Sequence, residues 1–180
     1  MISPDLPTRK WTTLGQPDAF AFWRESVCQA FTALSPEPAL DRRFHGEIDY
    51  LELREDASLS VITSEAQLVQ RRTIDISRSP SDSLFVNFQL AGNCKVRQRG
   101  IQTLVPSNAL VLLDARQPFQ MQFDGPFRQI CVHLPMPLLF RHGFDPGGFL
   151  ARSLPAKQVH GAALFDNVGD IVGGVDMNQS

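Results

Sequence analysis

The chain has 180 residues, 43% of them apolar, and a formal net charge of −2, enough for one domain with its own core but without the basic footprint of a phosphate-gripping surface. Its three cysteines, Cys28, Cys94 and Cys131, show no C-x-x-C spacing, which argues against a disulfide framework or a zinc site. Met1–Trp11 has no apolar leader, and no later run approaches the roughly 20 apolar residues of a membrane span, so a cytoplasmic protein without membrane contact is expected.

Residues 1–16 read as a proline-containing arm, which could act as a lid before Trp11. Pro17 to Phe31 reads as a helix, because Pro17 suits a first turn, Asp18 lies at the positive end, and Phe20, Trp23, Val27, Ala30 and Phe31 form one apolar stripe. Ser35-Pro36-Glu37-Pro38 stops it. From Phe44 to Leu134 the period changes to two. The spacing predicts strands at Ile48–Leu53, Leu59–Ser64, Leu68–Ile74, Leu84–Leu90, Cys94–Gln98, Ile101–Leu104, Ala109–Leu113, Gln117–Phe123 and Phe127–Leu134. Gly92-Asn93, Arg99-Gly100, Pro106-Ser107-Asn108 and Asp124-Gly125-Pro126 supply the turns between them. Short strands in series leave adhesive edges in an open sheet, so a mainly β fold closed as a jelly-roll barrel is expected. Further on, Pro137 to His142 reads as a short helix closed by Gly143, and Asp145-Pro146-Gly147-Gly148 as a loop. Leu164, Val168, Ile171, Val172 and Val175 make a helical stripe whose partner is either the barrel or a second subunit.

Several segments carry a resemblance. Phe85-Val86-Asn87-Phe88-Gln89-Leu90-Ala91-Gly92, then Val96-Arg97-Gln98-Arg99-Gly100, Leu104-Val105-Pro106 and Leu112-Leu113-Asp114-Ala115-Arg116-Gln117-Pro118-Phe119 resemble the effector-binding domain of AraC/XylS-type transcription regulators. Phe22-Trp23-Arg24-Glu25 and Arg72-Thr73 extend the likeness over residues 15 to 140. The resemblance implies a cupin-like double-stranded β-helix with an N-terminal helix and C-terminal helices, a small organic effector inside it, and a homodimer. It divides the chain into an arm at 1–16, a cupin-like effector-binding domain at 17–140 and a helical, possible dimerisation segment at 141–180. DNA would be reached only through a helix-turn-helix domain of about 100 further residues that these 180 do not contain.

Cupin enzymes hold a divalent ion with a His-x-His pair, a Glu and a later His. Counted from Gly92, the Glu position falls on Phe85 and the later His on Phe119, which cannot coordinate a cation. No His-x-His precedes Phe85, and His45, His133, His142 and His160 are scattered. No metal, no cofactor and no catalytic residue are expected, since the chain also lacks a G-x-S-x-G elbow and a phosphate-cradling glycine loop.

With Phe85 and Phe119 turned inward, the period of two carries Asn87 and Gln89 to the face of Phe85, and Met121 to that of Phe119. A hairpin turning at Gly92-Asn93 sets Asn87 opposite Gln98, so that the amides either orient a ligand or satisfy one another. The same parity adds Gln129, Cys131 and His133, unless a bulge at Gly125 favours Ile130 and Val132. Arg72 either pairs an anionic effector or makes a surface or interstrand ion pair. The expected ligand-binding set is therefore Phe85, Asn87, Gln89, Gln98, Phe119, Met121, His133 and Arg72, and its apolar walls with amide donors suit a small aromatic compound. A metal-free cupin enzyme or a carbohydrate-binding protein would instead gather titratable groups in the barrel. A purely dimerising scaffold would leave no cavity at all.

Overall fold

The computed structural model of the protein describes residues 8–39 and 43–159. Their strands form two antiparallel sheets. The first runs in the order β1 (Thr8–Thr12), β3 (Gly46–Glu52), β4 (Ser58–Ser64), β11 (Phe127–Pro135), β6 (Ser83–Ala91), β9 (Ala109–Asp114) and β12 (Leu154–Pro155). The second runs β2 (Ser35–Pro38), β5 (Gln67–Arg71), β10 (Phe119–Phe123), β7 (Cys94–Gln98) and β8 (Ile101–Val105). This is the jelly-roll architecture expected of a cupin-like chain.

Links that leave one sheet for the other make the barrel. The Gly92 turn carries the chain from β6 in the first sheet to β7 in the second, and Asp124-Gly125-Pro126 returns it from β10 to β11. Gly92 has φ +74°, and a Cβ there would lie 2.6 Å from the Pro126 carbonyl oxygen, so the two crossings pass too closely for any side chain. The hairpin placing Asn87 opposite Gln98 is thereby corrected. Asn87 pairs with Cys131 and Val111 within the first sheet, while Gln98 pairs with Phe119 and Ile101 in the second. A true two-residue hairpin joins β7 to β8, where Arg99 and Gly100 both take positive φ, as a mirror-image turn requires.

Alternation on β9 shows how the core divides. Ala109, Val111 and Leu113 face the space between the sheets, while Leu110 and Leu112 join an apolar layer on the other side. Helix α3 (Met136–Arg141) covers that outer layer with Met136, Leu138 and Leu139. Helix α1 (Ala19–Ala30) starts two residues later than expected because Asp18 is its N-cap, accepting from the Ala21 N–H at 3.0 Å. It rests on strands of both sheets and pushes Trp23, Val27 and Ala30 into the inner core.

Other expectations need correction. Thr8–Thr12, within the arm, is an edge strand registered on β3, while residues 1–7, with the prolines of the expected lid, lie outside the described residues. Ser35–Pro38 ends the helix and also forms β2, an edge strand where the prolines' missing N–H groups cost little. The strand expected over Leu68–Ile74 stops at Arg71, because the Asp75 carboxylate accepts from the Arg72 backbone N–H at 2.9 Å and opens helix α2 (Thr73–Arg78). The loop at Asp145–Gly148 contains a 3-10 turn over Pro146–Gly148. The apolar stripe from Leu164 to Val175 lies outside the described residues.

Candidate functional site

A cavity of about 60 Å³ remains between the sheets. The second sheet contributes Val69 of β5 and Phe119, Met121 and Phe123 of β10 to its wall; the first contributes Phe85 of β6 and Phe127 and Cys131 of β11. Trp23, Val27 and Phe31 close it from α1 and its C-terminal cap. The rings meet edge to face: Phe85 lies 6.2 Å from Phe119 and 6.1 Å from Phe31 between centroids.

Three amides interrupt this apolar lining: Gln67, Asn87 and Gln129. Gln67 accepts from the Trp23 indole N–H at 3.0 Å and donates to Ser64 Oγ at 3.1 Å. Gln129 donates to Gln89 Oε1 at 2.9 Å. Asn87 is different: it is 3% exposed, and its Nδ2 has no hydrogen-bond partner among the described residues. Among the described residues the one ionisable lining group is the Cys131 thiol, whose pKa burial pushes far above its ordinary value. Among the described residues, no three His, Cys, Asp or Glu side chains cluster as metal ligands would.

The structure divides the sequence-predicted site residues. Phe85, Asn87, Phe119 and Met121 line the cavity. Gln89 lies behind it, fully buried, donating to the Ala91 carbonyl and accepting from Gln129. Gln98 braces the barrel's backbone, donating to the Asp114 carbonyl at 2.8 Å and accepting from the Asp114 N–H at 3.0 Å. Arg72 is half-exposed and paired with Asp75 at 3.0 Å, on an outer groove shared with Arg97 and Arg99. Both Gln98 and Arg72 thus lie outside the cavity, across from Phe119, which borders both spaces.

His133 follows the inward parity of Gln129 and Cys131 but stands beyond the cavity, its ring 5.4 Å from Phe85. The irregularity in β11 falls between Arg128 and Gln129 rather than at Gly125, so the alternative of Ile130 and Val132 is not taken. Burial pulls the His133 pKa below its ordinary value of 6.5, partly offset by a hydrogen bond to the Asp56 backbone and by the Asp56 carboxylate. Neutral imidazole is therefore the folded form. The unfolded chain binds the extra proton, so the contribution of His133 is full above about pH 6.5 and is lost as pH falls below it. Urea midpoints should drop between pH 7 and pH 5, and His133→Gln should flatten that drop; an unchanged slope would contradict the assignment.

Sequence reasoning missed the wall from α1 and the role of Arg71. Trp23 and Phe31 were legible as the stripe of a helix lying across a sheet, but not as a wall of the cavity. Arg71 shares the inward parity of Gln67 and Val69 on β5 and is wholly buried, which an assignment of the charge to Arg72 overlooked. It donates to the carbonyls of Ala115, Ala33 and Ser79 at 2.7, 2.8 and 2.7 Å.

Residues 23–179 match the model of the AraC-binding-like domain family. The chain belongs to this family. The AraC-binding-like domain is 30% identical over 106 residues to the transcriptional activator NphR of Rhodococcus sp, which covers 59% of this chain and 31% of the relative. It is 26% identical over 124 residues to an uncharacterized protein in the nit 5' region of Bacillus sp. (strain OxB-1), covering 69% of this chain and 48% of that one. The chain therefore spans less than half the length of these curated relatives. The crystal structure of the AraC-like transcriptional activator CuxR superposes with a TM-score of 0.67 at 15% identity, over 76% of this chain and 50% of that one. At that identity the likeness speaks for the fold. These findings bear out the resemblance to the regulatory domain of AraC-type regulators. No helix among the described residues is long and apolar enough to cross a membrane.

Proposed function

We propose that this AraC-binding-like domain is a cytoplasmic, non-catalytic sensor whose small organic effector occupies the cavity between the sheets, and that DNA is reached through another domain. The observation that carries this reading is the cavity itself: it is apolar, interrupted by a few placed amides and, among the described residues, free of any cluster of titratable groups. Phe85 and Phe119 stand in its wall, where the cupin comparison would seat metal ligands. An enzyme or a carbohydrate-binding protein would need converging titratable or polar groups that this wall does not offer.

A ligand shifts a regulator only through a difference in affinity between two arrangements. Helix α1 is the part of the wall free to carry that difference, because the remaining walls are strands held by ladder hydrogen bonds. Dimerisation belongs to the same proposal and rests on the apolar stripe at 164–175.

A thermal-shift screen of small organic compounds tests the reading. An effector present at about a hundred times its Kd should stabilise the protein by roughly 2.7 kcal/mol. Cys131→Leu, which places extra carbon in a cavity of about 60 Å³, should abolish that shift while the protein still folds. A shift that survives the filling would place the ligand elsewhere.

A further inference from the structure

We infer that the molecule taken into the cavity is uncharged and largely apolar and presents a hydrogen-bond acceptor to Asn87 Nδ2, which makes Asn87 the specificity-determining residue. The inference rests on the cavity being the effector site and adds the chemical class of the occupant.

The amides are not equivalent. Gln67 is held from both ends by Trp23 and Ser64, and Gln129 donates to Gln89. Only at Asn87 does a lining amide present a buried donor with no acceptor among the described residues. Folding around an unpaired amide N–H is unfavourable, because the group leaves water and gains nothing in return. An acceptor atom on a guest, such as a carbonyl oxygen or a ring nitrogen, removes that penalty at the moment of binding.

The rest of the wall sets the remaining properties. Among the described residues it holds no side chain able to neutralise an ion: the arginines of the neighbouring groove lie outside, and the buried Cys131 thiol stays protonated. Phe31, Phe85 and Phe119 stand edge to face and suit a flat ring. The volume of about 60 Å³ has room for about four to six water-sized groups. A single ring fits once flexible Met121 or half-buried Phe31 yields.

Pyridine and benzene have the same outline and differ in one acceptor nitrogen, and both are neutral at pH 8. Titrated into the 15N-labelled protein, pyridine should shift the Asn87 side-chain amide protons downfield, as a new hydrogen bond does, whereas benzene should give a ring-current shift only. Asn87→Leu should weaken pyridine by about tenfold or more, the loss of one hydrogen bond, and leave benzene bound as well or better. N-methylpyridinium, permanently charged, should stay out. Without any ligand, Asn87→Leu should raise the melting temperature by several degrees, since it removes a donor with nothing to donate to. A lower melting temperature would show that the amide serves packing and would overturn the inference. So would equal responses of pyridine and benzene to the substitution, although binding of both would leave the proposed sensor site standing. Failure of both probes to bind the unsubstituted protein would bring down the sensor reading as well.

Discussion

Arg71→Ala should cost about 3–5 kcal/mol of folding stability, the cost of breaking a buried charge site that makes three hydrogen bonds. The guanidinium has no exposed surface, and its three acceptors lie on separate segments: Ala33 after α1, Ser79 at the end of α2 and Ala115 after β9. Each carbonyl ends or follows an element, so truncation leaves the buried Ala115 acceptor and the two part-buried ones of Ala33 and Ser79 without this donor, as well as a void. Burial pulls the Arg71 pKa down while Asp75 nearby pulls it up, and a guanidinium stays charged at neutral pH under both. Total stability in domains of this size is about 5–15 kcal/mol, so the variant should lose a large fraction of it and unfold at a clearly lower urea concentration. Arg71→Lys, which keeps the charge but not the planar fork, should fall between the two. Urea denaturation at pH 7 checks the order, and a loss below about 1 kcal/mol for Arg71→Ala would refute the bracing role.

That arginine also marks where the sequence stops being readable. The cupin metal positions counted from Gly92 put Phe85 and Phe119 inward, and alternation then carried Asn87 and Met121 to the same faces of β6 and β10. The strand after Leu68 was read through to Ile74, however, and a strand end misplaced by a few residues moved the important charge from Arg71 to Arg72. The side-chain period of two makes this kind of error total, since a slip of one residue exchanges inside for outside. The Gly92 crossing is a different failure. Positive φ at Gly92 is required both by a hairpin and by a link between sheets; what separates them is the Pro126 carbonyl pressed against the turn, a contact from 34 positions along the chain. No local pattern carries that information. Gln98 was correctly read as inward, but its partners are backbone groups of Asp114 rather than Asn87. Because Gln98 is spent on the backbone, Asn87 is left without the partner that a hairpin would have given it.

Trp23→Ala should rank with Arg71→Ala, at about 3–5 kcal/mol, because it removes the largest buried side chain of α1. The indole lies on Gly46 so closely that a Cβ there would come within 2.7 Å of its ring, and it packs 5.5 Å from Phe44 between centroids. Trp23→Phe, which keeps much of the apolar contact and loses the hydrogen bond to Gln67, should cost only about 1–2 kcal/mol. The comparison matters because Trp23 has two tasks at once. It docks α1 onto Gly46 and Phe44, and the same ring is part of the cavity wall. On the proposed function, an effector entering the cavity would press on the residue that fixes the helix, and occupancy and helix position would be coupled. Arg71 holds the segment that follows the same helix through the Ala33 carbonyl. Two anchors on one element should couple, so Trp23→Ala and Arg71→Ala combined should destabilise by less than the sum of the separate losses. Strict additivity would mean that α1 does not move as a unit, and would remove the physical route by which a guest in the barrel could be sensed outside it.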